Sequence, residues 1–130
     1  MLQHRVEKPL NTEGFERLKA EDLDQTAAFI DGAISRLDGA DMKRSDAESI
    51  KAEFRMSAAL AKFACRLGAA RIRAGGVVTS ALPRDQRLEF AAELGPLIPD
   101  YRQLWLARNR SWGLKDSAGR FENLLAILKQ

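Results

Sequence analysis

Trp105, Arg108, Asn109, Arg110 and Trp112 fall in one short stretch of the chain, between Tyr101 and Gly113. Aromatic faces beside guanidinium and carboxamide donors are the groups that a polar ligand such as a sugar or a carboxylate requires. These five residues are therefore the candidate ligand-binding set. The same residues also suit a structural corner between two helices. Trp105 falls in register with Tyr101 and Leu104 and should face the core. Asn109 is suited to end a helix and Gly113 to take a positive φ, and Asp116 or Ser117 can begin the next helix. The corner accounts for everything except the density of arginine and of aromatic side chains, and it is the favoured reading.

Other chemistry is sparse. Cys65 is the sole cysteine and His4 the sole histidine, which excludes an intramolecular disulfide, a cysteine zinc cage and a multi-histidine metal site. Cys65 sits between Phe63 and Leu67 with only Arg66 beside it, a setting for a small buried hydrophobe rather than for an activated thiolate. The acidic residues Glu21, Asp22 and Asp24 favour a helix N-terminus through the macrodipole. Glu48, Glu53, Glu89 and Glu93 read as helix-surface groups, and no acid and base stand out as a catalytic pair. Gly75 and Gly76 lack the surroundings of a phosphate-binding loop and read as a helix terminator. No metal and no cofactor is expected.

These residues must be carried by helices. Leu23, Ala27, Ile30, Ile34 and Leu37 recur at spacings of one apolar helix face, predicting a first helix from Glu21 that closes at Asp38 and Gly39. Ser45 and Glu48 have the spacing of a capping box. From there Ile50, Phe54, Leu60, Phe63, Leu67 and Ile72 continue one helical period up to Gly75. That predicts a central helix of about 28 residues, roughly 42 Å long. Its alanines and Gly68 would let a neighbouring helix approach closely. Residues 75–80 read as a loop, and Pro83 suits the first turn of a third helix. Gly95 and Pro96 predict a break, with a fourth helical stretch starting at Pro99 and a last helix presenting Phe121, Leu124, Leu125 and Leu128. Gly119 weakens that last helix by about 1 kcal/mol relative to alanine.

The expected fold is therefore all-α, an antiparallel bundle of four to five helices with one long central helix. An N-terminal arm, residues 1–20, precedes the bundle domain, residues 21–130. A length of 130 residues with 45% hydrophobic and 30% charged residues suits one globular domain. No apolar run approaches the ~20 residues of a membrane span, and no signal-peptide core follows Met1, so a cytoplasmic protein with no membrane partner is expected. The net charge of +3 divides unevenly, with residues 1–60 at −3 (9 basic, 12 acidic) and residues 61–130 at +6 (12 basic, 6 acidic). Such asymmetry fits two halves packed on each other, or an anionic partner. A nucleic-acid interface would need Arg66, Arg71, Arg73, Arg84, Arg87, Arg102, Arg108 and Arg110 on one face with an aromatic platform. No nucleic-acid-binding motif accompanies them, so this is the weakest of the readings.

The run from Leu104 through Arg110, followed by Gly113, Leu114, Asp116 and Ser117, resembles a segment in the C-terminal helical region of large bacterial glycoside hydrolases of the β-N-acetylhexosaminidase type. A looser likeness extends over Phe63 to Ile72. In that family the turn usually reads Pro-Gly-Gly, and Ser111 and Trp112 replace its first two residues here. The family's catalytic Asp-Glu pair lies in a separate β/α barrel of typically ~250 residues, to which nothing in this chain corresponds. The resemblance thus implies an appended or free-standing helical module without hydrolase activity of its own. Together with Phe29, Phe54 and Met56, apolar residues outside a narrow helix stripe, it points to a non-catalytic interaction domain that meets a second copy or a larger protein. A small sugar-binding protein using the Trp105 to Trp112 corner is the alternative, and anion or nucleic-acid binding by the basic half is a second one.

Overall fold

A computed structural model describes residues 8–10 and 17–130, and among these the chain is entirely helical and irregular, without strands. Four α-helices form: α1 (Ala20–Ser35), α2 (Ala47–Arg73), α3 (Arg84–Arg108) and α4 (Leu114–Lys129). A single 3₁₀ turn, Thr79–Ala81, precedes α3. The expected helical bundle is present, with four α-helices among the described residues. Its centre is shared by two long helices, α2 of 27 residues and α3 of 25. His4 and most of the N-terminal arm lie outside the described residues. Within the arm, the Leu10 amide donates to the Gly76 carbonyl at 2.7 Å, and Arg71 donates to the Lys8 carbonyl.

One helix replaces the expected third and fourth, because α3 runs straight through Gly95, Pro96 and Pro99. A proline inside a helix removes the amide that would bond to the carbonyl four residues back. Pro96 and Pro99 both lie on the solvent face, where Ala92, the residue whose carbonyl loses its partner to Pro96, is also exposed. Water can therefore satisfy it. On the opposite face Ala91, Leu94 and Ile98 are buried on both sides of the prolines, and this packing holds the register.

Three local expectations need correction. The Ser45 to Glu48 capping box does not form: Asp46 precedes the first residue of α2 without a side-chain cap, its carboxylate being held by Arg44 at 2.9 Å. Glu48 meets Lys51 instead, at 3.4 Å. Positive φ occurs at Gly75, Gly76 and Gly113 among the described residues, so Gly39 does not close α1 in the left-handed form. The last helix starts at Leu114, directly after Gly113 at φ 100°; Asp116 lies in its first turn rather than capping it.

The main core gathers at one end. Phe63 and Leu67 of α2, Leu82 of the connection, Leu94 and Ile98 of α3, and Leu128 of α4 bury one another, with Phe90 set edge-on to Phe63 at 5.9 Å. Gly75 and Gly76 turn the chain out of α2. The connection is then tied down by Arg71, which donates to the Val77 carbonyl at 2.8 Å, and by Arg87, which donates to the carbonyls of Ser80 and Leu82.

On the other side of α2 lies α1, antiparallel to it and bridged by Asp24 to Arg73 and Asp31 to Lys62, with Asp38 just after the helix meeting Arg55. The small-residue approach expected of α2 is observed: a Cβ added at Gly68 would come within 2.9 Å of Leu23 Cδ1. Asp24 to Arg73, Asp31 to Lys62, Asp46 to Arg108 and Glu53 to Arg108 each join an acidic group of the first half to a basic group of the second. The uneven charge distribution is in part consumed inside the fold.

Candidate functional site

The corner between α3 and α4 is built largely by its own hydrogen bonds. The Asn109 amide donates to the Trp105 carbonyl at 2.8 Å, and Asn109 Nδ2 donates to the same oxygen at 3.2 Å. Asn109 therefore ends α3 by satisfying a carbonyl that the finished helix would leave open. Trp105 Nε1 donates to the Arg110 carbonyl at 3.2 Å. Its indole lies alongside the turn, since a Cβ at Gly113 would stand 3.7 Å from Trp105 Cζ2. Tyr101 joins this layer to α4 through Phe121, with ring centroids 5.2 Å apart.

Arg108 is committed to α2, with Nε 2.5 Å from Glu53 Oε1 and Nη2 3.4 Å from Asp46 Oδ2. The Asp46 pKa is lowered from its ordinary value, first by the hydrogen bond from Arg44, with Arg108 adding a smaller charge effect. The five candidate residues consequently do not converge. Trp105 and Asn109 line a small cleft of about 150 Å³ with Glu53 and Ser57. Arg108 is engaged in ion pairs, while Arg110 is exposed and Trp112 projects into solvent with 86% of its surface accessible.

A larger concavity lies on the opposite side of the seam between α2 and α3. The groove holds about 670 Å³ between residues 48–59 of α2 and residues 97–107 of α3. Ala52, Met56, Ala59, Leu97 and Leu104 give it an apolar lining, and Glu48, Arg55, Asp100 and Gln103 supply the polar groups. Met56 and Leu104 line both this groove and the small cleft, so a single layer of side chains separates the two hollows. The groove is not apparent in the sequence, because it lies between two helices distant in the chain. The one available signal was Met56, an apolar residue outside the narrow stripe.

The remaining chemistry is dispersed. Partial burial pushes the Cys65 thiol up, leaving it protonated at neutral pH and a poor nucleophile. No cluster of metal-ligating side chains forms among the described residues. The arginines of the expected nucleic-acid face point to separate partners: Arg66 to Glu93, Arg73 to Asp24, Arg102 to Glu122 and Arg108 to Glu53. Among the described residues no helix is long and apolar enough to cross a membrane. Comparison with family models, with curated proteins and with solved structures finds no match to the chain.

Proposed function

We propose that this chain is a non-catalytic helical interaction domain whose working surface is the groove between α2 and α3. The observation that carries the reading is the groove itself, about 670 Å³ with an apolar lining and polar groups at its borders. A groove between two helices takes an apolar side chain or a helix face of another protein, with the border groups fixing orientation. Phe54, at 55% exposure, and Leu106, at 52%, add apolar surface on the same halves of α2 and α3.

The resemblance to the helical region of β-N-acetylhexosaminidase-type enzymes supports an accessory role, with such a bacterial enzyme as a candidate partner in the cytoplasm. Sedimentation of the chain at micromolar concentration, alone and mixed with an enzyme of that type, tests the reading. A faster-moving species is expected in at least one of the two, and Ala59→Glu in the groove should abolish it. A monomer in both conditions overturns the proposal.

Sugar binding draws its support from Trp105 and Asn109, which share the small cleft. At about 150 Å³ that cleft falls below the roughly 300–1,000 Å³ typical of small-molecule sites. Titration of tryptophan fluorescence with N-acetylglucosamine separates the readings: unchanged emission is expected, and saturable quenching would favour the sugar.

A further inference from the structure

The chain carries both a groove and a group of the right kind to fill it. Trp112 is 86% exposed, far more than an indole without a partner is expected to be. It is flanked by Arg110 and Lys115, both exposed and neither paired with an acid among the described residues. The corner is therefore an aromatic knob with two available positive charges. The groove offers the complement. Its apolar lining is bordered by Asp100, which has no cationic partner among the described residues, by Glu48, whose side chain is 83% exposed beside Lys51 at 3.4 Å, and by Arg55, whose charge is taken up by Asp38 at 2.6 Å.

Knob and groove are also neighbours. Ala107 lines the groove and Arg108, the next residue, ties the corner to Asp46 just ahead of α2. A two-fold axis close to this end of the molecule would bring each knob to the other copy's groove, an arrangement that closes at two subunits.

We propose that this chain forms a two-fold dimer in which Trp112 of each copy inserts into the groove between α2 and α3 of the other, with Arg110 and Lys115 facing Asp100 and Glu48. The dimer rests on the reading of the groove as a protein-docking surface and names the occupant as a second copy. Two buried indoles contribute roughly 300–500 Å² in all, and flanking surface must supply the rest of a standard interface of about 800 Å² per partner. Interfaces of that size range from micromolar to picomolar with the quality of their anchors, and one aromatic anchor per copy places this one on the order of micromolar.

Sedimentation across concentration, on the full chain, tests the proposal. The wild-type protein is expected to pass from monomer to dimer over micromolar concentrations. Trp112→Ala should weaken association at least about tenfold, as truncation of a buried aromatic anchor does. The pair Glu48→Lys and Asp100→Lys should weaken it as well, and so should Arg110→Glu with Lys115→Glu. All these sites are on the surface, and circular dichroism will show the fold retained. Combining the four charge reversals should restore the dimer, a result that a general loss of solubility or fold would not give. A dimer indifferent to Trp112→Ala overturns the proposal. A chain that stays monomeric alone yet binds a hexosaminidase-type enzyme through the groove also overturns it, while leaving the docking reading intact. A monomer in every condition overturns both.

Discussion

The two ends of α2 have different kinds of neighbour. Toward its C-terminus Phe63 and Leu67 are nearly inaccessible, sealed by Leu82, Leu94 and Leu128, each at 1% exposure or less. Toward its N-terminus only Ala47 is buried. The helix there is joined to α3 by Met56 and Leu104, a single layer with a hollow on either side, and by Arg108 reaching to Glu53 and Asp46. One end is closed by apolar burial and the other is tied by exposed charge pairs. Burial stabilises in proportion to the apolar area removed from water, whereas exposed ion pairs contribute about 0–1 kcal/mol each. The closed end supplies stability, and the open end keeps apolar surface available to a partner.

The difference should be largest in matched leucine truncations. Leu94→Ala removes a side chain with 0% exposure from the closed end and should cost about 3–5 kcal/mol, the upper part of the range for core leucines. Leu104→Ala removes a half-buried leucine beside two existing hollows and should cost less than about 1.5 kcal/mol, since it creates little new cavity. Urea denaturation of the two variants measures both. Equal losses would show that the open end is packed as firmly as the closed one.

Legibility in the sequence followed the same division. The faces that form the closed end repeat with a helical period, and Phe63, Leu67, Phe121 and Leu128 could all be assigned to a core from spacing alone. Gly75, Gly76 and Gly113 marked true positive-φ turns, and Asn109 ended its helix as its side-chain chemistry suggests. What misled was local chemistry overridden by packing. Pro96 and Pro99 read as a break, yet packing around Leu94 and Ile98 carries α3 past them. Ser45 read as a cap, yet Asp46 takes that position and gives its carboxylate to Arg44. The groove was illegible for a different reason. It depends on how two helices pack against each other, and periodicity reports which face is apolar without reporting how closely that face is covered.

Glycine substitutions sharpen the comparison at intermediate size. A Cβ at Gly119, inside α4, or at Gly95, inside α3, would meet nothing within 4 Å. Gly119→Ala and Gly95→Ala should each stabilise the protein by about 0.5–1 kcal/mol, through helix propensity and reduced freedom of the unfolded chain. Gly68→Ala places its methyl group 2.9 Å from Leu23 Cδ1. The leucine must shift, the propensity gain is offset, and no stabilisation is expected. Thermal unfolding of the three variants compares them directly. A gain at Gly68 matching that at Gly119 would mean that α1 is held loosely on α2.

The smallest effect concerns the charges that tie the open end. Asp46 has its folded-state pKa lowered, chiefly by the hydrogen bond from Arg44 and to a lesser degree by Arg108. A carboxylate depressed on folding contributes stability that is fully present above its unfolded pKa and disappears as the pH falls through its folded value. Asp46→Asn removes this contribution at neutral pH. The two proteins should therefore differ in melting temperature at pH 7 and converge below the ordinary carboxylate range, once wild-type Asp46 is protonated. Because Asp46 is solvent-accessible, added salt should also narrow the neutral-pH difference by screening. Melting curves of both proteins across acidic pH and in high salt check the sign. A difference that persists in acid would mean that Asp46 acts through its shape or its hydrogen bonds at the start of α2 rather than through its charge.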